Sequence, residues 1–373
     1  MGRLLFVSDF DGALTKKDTN AYLFERIDPK IDTMLEAAYA RRESNIRMLS
    51  AAGALGLVER AGGTITPGKG GFSRVRWREK ADGRRADLPM ELLPDAVAGR
   101  AAKYYAGHRT PPKKFLSSLI PSDEFLQKPF EGAKNAGEAY QNQLGWLHRK
   151  EIEEVGFHEF IDGMLLHLVK KDDIVEASRE IGGMHMQPGV DALFETLRKL
   201  GAHIAICSYS YIDTVRIALD DVIRVSQKYR NGRVHYVANS ITYCDGNGGR
   251  ISGIERIGNK WNALDSCLYY AGFRPDGHGI YKASFGYDDG IYNLKDMVSR
   301  FTVSIMLVAD RSKTVEGIVQ EVGSMTRQKK ISVCFENRDW SLEHVAEWVV
   351  EDARRMGHGT AISKGGRSPK DVS

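Results

Sequence analysis

The residues of this 373-residue chain that could do chemistry are acidic and polar side chains at the ends of short apolar segments. Asp9 and Asp11 follow the apolar segment 3–8 directly, and Asp288 and Asp289 follow an extended segment much later in the chain. Carboxylate oxygens are the ligands that Mg²⁺ prefers. Two carboxylates at each of two strand ends therefore indicate a hard-cation site of the Mg²⁺ kind.

Two further residues extend this chemistry to phosphate. Ser208 ends the apolar segment 202–208, just before a helix expected near Ile212, and a serine there can hold a phosphoryl oxygen. Lys260, before another helix, would offset the negative charge; Lys282, inside an extended segment, is the alternative. A carboxylate nucleophile, a carboxylic acid–base, Mg²⁺ and a lysine together describe phosphoryl transfer through an aspartyl-phosphate.

The elements that must position these residues follow an α/β pattern. After residue 187, amphipathic helical segments alternate with short apolar segments, and two extended segments, 234–243 and 250–255, indicate a hairpin. Such alternation predicts a mostly parallel sheet with helices on both faces. We therefore expect a doubly wound, Rossmann-like core whose strand ends bring the acidic and polar residues together.

The first strand is far from the others in sequence. Nearly 180 residues, with apolar side chains at helical three- and four-residue steps, separate it from the second core strand. The simplest interpretation is a catalytic core of residues 1–15 and 186–350 that is split by a mainly helical cap, residues 16–185. The polar segment 356–373 is expected to be a flexible tail.

Bulk composition excludes several classes of protein. Apolar residues make up 42% and charged residues 27%, which is a globular composition. The four cysteines form no Cys-x-x-Cys pair, so neither a disulfide scaffold nor a thiolate zinc site is indicated. No apolar segment approaches the roughly 18 residues of a membrane span. We expect a cytoplasmic protein without a membrane partner.

One segment of the cap, residues 59–114, is rich in Gly and Arg. It holds 13 Lys and Arg residues against 6 Asp and Glu, although the whole chain has a net charge of only +4. The segment is interpreted as a solvated insertion or as a surface that attracts an anionic substrate or partner. Trp77 stands between two arginines, but one aromatic residue is too little for base stacking, and no nucleic-acid partner is expected.

Each candidate residue also has a structural alternative. Asp9 and Asp11 could cap a turn, Ser208 could cap a helix, and the later acidic pair could lie in a solvated turn. Three histidines and one cysteine show no metal-ligand spacing and are interpreted as structural: His158, His167, His185 and Cys207.

The order of these segments resembles the haloacid-dehalogenase superfamily of phosphotransferases, and within it the phosphoserine-phosphatase-like branch. The resemblance covers residues 1–19 and about 185–310. The family's four motifs are matched by Asp9-x-Asp11-Gly12, with Ala13 in the Thr/Val place, by Ser208, by Lys260, and by Asp288-Asp289.

The resemblance implies a Mg²⁺-dependent phosphomonoester hydrolase that acts on a small phosphorylated metabolite. Asp9 would be the nucleophile, Asp11 the acid and base, and Ser208 and Lys260 would hold the phosphoryl oxygens. The implied Mg²⁺ ligands are Asp9, the Asp11 carbonyl and Asp289. Asp288 would either bind Mg²⁺ directly or contact one of its ligands. Two alternatives are a phosphotransferase on the same core and a catalytically weak relative that binds a partner through its basic cap insertion.

Two departures from the family pattern concern the site. Asn293 stands where many relatives have a second acid, so the adjacent acidic pair would have to supply that role. The turn after motif II reads Ser208-Tyr209-Ser210-Tyr211 where relatives have glycines, which changes how closely the backbone can approach a phosphate. The second departure counts against phosphoserine itself as the substrate.

Overall fold

A computed structural model of the chain describes residues 3–78, 112–148, 154–222, 224, 232–244, 249–290, 293–308, 330–335 and 341–358. The strands are β1 (Leu5–Ser8), β2 (Gly63–Pro67), β3 (Ser73–Trp77), β4 (His203–Tyr211), β5 (Val234–Tyr243), β6 (Ile251–Glu255), β7 (Tyr281–Asp288), β8 (Phe301–Val308) and β9 (Lys330–Phe335). The α-helices are α1 (Thr19–Ile27), α2 (Ile31–Ala51), α3 (Leu55–Arg60), α4 (Pro112–Leu119), α5 (Asp123–Gln127), α6 (Ala136–His148), α7 (Glu154–Leu168), α8 (Lys171–Met184), α9 (Val190–Lys199), α10 (Ile212–Arg216), α11 (Lys260–Tyr270), α12 (Leu294–Arg300) and α13 (Leu342–Arg355).

The main sheet has seven strands in the order β6-β5-β4-β1-β7-β8-β9. Strand β1 pairs in parallel with β4 on one side and with β7 on the other, and only β6 runs antiparallel, beside β5. All four residues of β1 are buried, as expected for the interior strand of a parallel sheet that helices cover on both faces. The predicted doubly wound α/β core and the predicted hairpin are confirmed.

The side chains of β1 pack alternately into two separate hydrophobic clusters. Phe6 packs in the cluster that contains buried side chains of α9 and α13, whereas Leu5 and Val7 pack in the cluster that contains those of α11 and α12. Successive side chains of a strand point to opposite faces, so one short strand anchors both helical layers. The site residues at its end are therefore held on a rigid base.

The segment between β1 and α9 carries α1–α8 and the small antiparallel sheet β2–β3, and it has two hydrophobic clusters that are largely its own. Helical periodicity between residues 19 and 57 does not give one helix, because the chain turns at Asp28 (φ 42°) and again at Gly53 (φ 65°). The predicted domain boundaries themselves stay a prediction. Among the described residues, no helix is both long and apolar enough to span a membrane.

Part of the basic segment is better ordered than its composition suggests. Strands β2 and β3 form a hairpin in which Ile65, Val75 and Trp77 pack against a hydrophobic cluster. The Trp77 indole N–H donates to the Ile120 carbonyl at 2.8 Å, so one edge of this ring is engaged inside the protein. The opposite face of the hairpin, with Thr64, Thr66, Arg74 and Arg76, is exposed, so the interpretation of the segment as a solvated insertion stays a prediction. Residues 79–111 and 359–373 lie outside the described part of the chain.

Candidate active site

The acidic pairs meet because their strands are neighbours. Strand β1 ends immediately before Asp9, whose backbone N–H donates to the Tyr287 carbonyl at 2.9 Å and so continues the pairing with β7. Strand β7 ends at Asp288, and the carboxyl ends of parallel strands lie at one edge of the sheet. Carboxylate oxygens of Asp9, Asp288 and Asp289 lie within 4.8 Å of one another.

Lys260 lies between two of these carboxylates. It is the first residue of α11, which Asn259 caps by accepting two backbone N–H groups, and its Nζ lies 2.5 Å from Asp9 Oδ2 and 3.1 Å from Asp288 Oδ2. Burial lowers the pKa of Lys260, but Asp288 and Asp9 outweigh burial, and the pKa lies well above its usual value. Lys282 is exposed near the opposite end of β7, so the structure brings Lys260 to the acids.

One ammonium is too little positive charge for this cluster. Loss of hydration, followed by the charge of neighbouring acids, raises the pKa of Asp9 to about 7, even with Lys260 opposing. Asp289, which keeps part of its surface exposed, has its pKa raised to about 8 by the same two causes. A divalent cation would supply the missing charge and return these groups to the carboxylate form.

The loop after β1 is shaped to admit a carboxylate. Gly12 has φ 74°, and a Cβ at this position would lie 1.9 Å from Oδ2 of Asp289. Only glycine leaves this space free, in a conformation that other residues rarely adopt. The donor set and this space fit an oxygen-liganded divalent cation held by Asp9 and Asp289.

Both carboxylate oxygens of Asp288 accept hydrogen bonds from protein groups. Gly290 N–H donates to Oδ1 at 2.7 Å, Lys260 Nζ contacts Oδ2, and the Asn293 amide contacts both oxygens at 3.0 and 3.1 Å. At the position where many relatives of the resembled family have a second acid, Asn293 therefore acts as a hydrogen-bond donor. Asp288 is better suited to fixing Lys260 than to binding a cation directly.

Asp11 is not part of the acidic cluster, and both of its carboxylate oxygens are engaged by other residues. Its Oδ1 accepts from the Thr19 backbone N–H at 2.9 Å, and its Oδ2 accepts from Ser208 Oγ at 3.2 Å. Burial, and next the charge of Asp18, raise the pKa of Asp11 to about 7. A carboxyl group with such a pKa can both give and take a proton near neutral pH.

Ser208 is held by the backbone two residues further on, where Ser210 N–H donates to its Oγ at 3.0 Å. The predicted strand end at Ser208 is wrong, because β4 continues to Tyr211 through a register shift between Cys207 and Tyr211. Helix α10, which follows, has only five residues. Ser208 thus lies at an irregular place within the strand and not at a helix N-terminus.

Sequence reasoning missed the residues that support this site. Thr19 and Asn239 were not among the candidate residues, and Tyr209 and Asn293 entered only as departures from the family pattern. One signal in the sequence could have pointed to Asn239, because this polar residue directly follows the apolar residues Val237 and Ala238. In the structure Asn239 is fully buried. None of the described histidines joins the acidic cluster, and Cys207 packs beneath Lys260 with its Sγ 3.4 Å from that residue's carbonyl oxygen.

Comparison with known proteins gives structural similarities alone, since no family model and no curated protein matches the sequence. The chain is similar to a substrate-bound phosphoserine phosphatase, with 12% identity, TM-score 0.38, and coverage of 93% of this chain and 99% of that one. It is also similar to cytosolic 5'-nucleotidase IIIB bound to cytidine, with 13% identity, TM-score 0.36, and coverage of 95% and 87%.

A third similar structure is a protein of unknown function from Bordetella pertussis Tohama I, with 14% identity, TM-score 0.41, and coverage of 89% of this chain and 99% of that one. Identities and TM-scores of this size say nothing about chemistry. The argument for a function therefore rests on the site residues.

Proposed function

We propose that this chain is a Mg²⁺-dependent phosphomonoester hydrolase of the haloacid-dehalogenase type, which acts through an aspartyl-phosphate on a small phosphorylated metabolite. One observation carries the proposal: Lys260 contacts Asp9 and Asp288 together, beside the carboxylate of Asp289. In this proposal the nucleophile Asp9, the ammonium of Lys260 and the cation site lie together at the carboxyl edge of the sheet.

In the first step, a carboxylate oxygen of Asp9 attacks phosphorus, and the bond from phosphorus to the alcohol oxygen breaks. Asp11, in its protonated form, gives its proton to the departing alkoxide. Its pKa of about 7 keeps a large fraction protonated at neutral pH. Thr19 N–H and Ser208 Oγ hold the Asp11 carboxyl in one orientation.

In the second step, Asp11 is a carboxylate and takes a proton from a water molecule as the water oxygen bonds to phosphorus. The bond between phosphorus and the Asp9 oxygen breaks, and inorganic phosphate leaves. Asp11 ends the cycle protonated and Asp9 ends it as a free carboxylate. The sum of both steps is hydrolysis of the ester.

The phosphoryl oxygens require fixed positive groups and donors. Lys260 supplies an ammonium that Asp288 holds from behind, and Ser208 supplies a hydroxyl whose orientation Ser210 N–H fixes. Mg²⁺, when bound by Asp9 and Asp289, supplies further neutralisation of phosphoryl charge. We propose the backbone carbonyl of Asp11 as a further Mg²⁺ ligand. Asp288 would not bind Mg²⁺ directly but would hold Lys260 beside the site.

The segment inserted after β1 is proposed to choose the leaving group. Its first helix, α1, begins at Thr19, which contacts Asp11 directly, so this segment reaches the reaction site. A segment that covers the site would also exclude bulk water from the phosphorylated aspartate.

A screen of phosphorylated metabolites with Mg²⁺ tests the proposal, with wild type, Asp9→Asn and the exposed-residue control Asp32→Asn. We expect phosphate release by wild type and the control, none by Asp9→Asn, and an acid-stable phosphoryl adduct on Asp9 after rapid quenching. Absence of release from every substrate, or release that Asp9→Asn leaves unchanged, contradicts the proposal. Phosphate that reaches an added alcohol faster than water would favour the phosphotransferase alternative.

A further inference from the structure

Asn239 uses both ends of its side-chain amide, although it is 0% exposed. Its Nδ2 donates to the Tyr209 carbonyl oxygen, and its Oδ1 accepts from the Ile257 backbone N–H at 3.0 Å. The preceding residues of β5, Val237 and Ala238, are buried and apolar. Burying an amide is unfavourable unless its groups are hydrogen-bonded, so these two contacts account for a polar residue here.

The first contact fixes the irregular part of β4 that carries Ser208. Tyr209 lies between Ser208 and Ser210, and Ser210 N–H is the group that holds Ser208 Oγ. A carbonyl held at Tyr209 limits rotation of the peptide between Tyr209 and Ser210. The direction of the Ser210 N–H, and with it the position of Ser208 Oγ, depends on that peptide.

The second contact fixes the approach to Lys260. Ile257 lies three residues before Lys260, at the start of the loop that Asn259 ends by capping α11. The Lys260 backbone N–H donates to the Tyr209 hydroxyl at 3.3 Å. Asn239, Tyr209, Ile257 and Lys260 therefore form a closed set of contacts that joins β4 and β5 to the loop before α11.

We propose that Asn239 is a positioning residue that sets the separation of Ser208 and Lys260, the two groups that hold the phosphoryl oxygens. This inference rests on the proposed function. It adds a residue that touches neither substrate nor cation and acts through the Tyr209 carbonyl and the Ile257 amide.

The test compares Asn239→Asp and Asn239→Leu with Asn45→Asp. Asn45 is a matched control, because it is also buried and its Nδ2 donates to a backbone carbonyl, that of Leu119, at 2.9 Å in the inserted segment. We expect both Asn239 variants to lower kcat about 10- to 100-fold, since displacement of a reacting group by about 1 Å can cost that much. The loss should be the same for esters with different leaving groups.

A second readout does not require turnover. Calorimetric binding of inorganic phosphate in the presence of Mg²⁺ should weaken about tenfold in the Asn239 variants, because charge-assisted contacts depend on geometry. Asn45→Asp should lower the melting temperature and leave kcat and phosphate binding at the wild-type values. Folded Asn239 variants with wild-type kcat and wild-type phosphate affinity would overturn the proposal.

Tyr209→Phe keeps the test decisive if the Asn239 variants do not fold. It removes only the hydroxyl that accepts from Lys260 N–H, on a side chain that is 37% exposed. We expect a severalfold lower kcat and weaker phosphate binding, and unchanged values of both would contradict the closed set of contacts. Failure of the proposed function is read separately, from wild-type turnover and the Asp9→Asn comparison.

Discussion

Asn293 donates its side-chain amide to both carboxylate oxygens of Asp288, at 3.0 and 3.1 Å. This contact keeps Asp288 facing Lys260 and satisfies a carboxylate that is 1% exposed. An acid at position 293 would replace a donor by a second negative charge beside Asp288. Two facing carboxylates repel unless one binds a proton.

We therefore expect Asn293→Asp to lower kcat about tenfold or more, the range found when partners that orient site ligands are lost. Steady-state kinetics with saturating Mg²⁺ measure the effect. Asn262→Asp, on the exposed side of α11, is the control and should leave kcat unchanged. Equal or higher activity of Asn293→Asp would mean that position 293 accepts a cation ligand.

Lys260→Met should destabilise the protein as well as inactivate it. The substitution leaves Asp9 and Asp288 without their buried ammonium, and loss of one partner of a buried ion pair costs about 3–5 kcal/mol. Urea unfolding at pH 8 without divalent cations measures this cost, and added Mg²⁺ should recover part of it. The exposed Lys282→Met is the control, and equal stability of the two variants would contradict the assigned role of Lys260.

The binding of Mg²⁺ should strengthen as pH rises toward about 8. Without a cation the pKa of Asp9 is raised to about 7 and that of Asp289 to about 8, so the folded protein keeps protons that the unfolded chain has lost. The free energy of unfolding of the cation-free protein should therefore fall as pH rises from about 4 to about 8. Mg²⁺ requires the carboxylates and displaces those protons.

Unfolding with EDTA and with Mg²⁺, at pH 5.5 and at pH 8, checks the sign. Stabilisation by Mg²⁺ should be larger at pH 8, and proton release should accompany binding at neutral pH. Asp289→Asn should reduce the pH dependence of Mg²⁺ stabilisation. A stabilisation by Mg²⁺ that is the same at both pH values would contradict this cation site.

An ion pair joins the inserted segment to the loop before Lys260. Arg256 contacts Asp162 of α7, and each side chain is 8% exposed. Asp162→Leu alone leaves a buried guanidinium and should cost about 3–5 kcal/mol, whereas the double variant Asp162→Leu/Arg256→Met should recover most of that loss. Urea unfolding of Asp162→Leu, of Arg256→Met and of the double variant gives the coupling energy.

The exposed pair Lys17–Glu25 provides a matched control for this measurement. Glu25→Gln should change the free energy of unfolding by less than about 1 kcal/mol, since exposed pairs contribute little. A cost for Asp162→Leu no larger than that of Glu25→Gln would show that the buried pair does not hold the two segments together.

Local pattern was enough for the acidic residues but not for their partners. The strand end at Asp9 and Asp11 could be predicted because the buried strand, the acids and the turn are adjacent in sequence. The contact between Asp162 and Arg256 spans 94 positions, and no periodicity encodes it. Lys260 and Lys282 differ in burial, which depends on where the sheet edge lies.

The hairpin of β2 and β3 was missed for a different reason. Thr64 and Arg76 face one side and Ile65 and Val75 the other, which is a strand alternation, but Gly and Pro residues interrupt it. Its stability comes from packing against helices α2–α4, and composition cannot report that contact.

Gly12 places the strictest demand on sequence at a position that contributes no side chain. The volume occupied by the Asp289 carboxylate is the volume that one methyl group at position 12 would need. Turn geometry and cation affinity are therefore not separable traits in this loop. A side chain at position 12 would strain the loop and displace the Asp289 carboxylate, so the residue at this position records whether the cation site is intact.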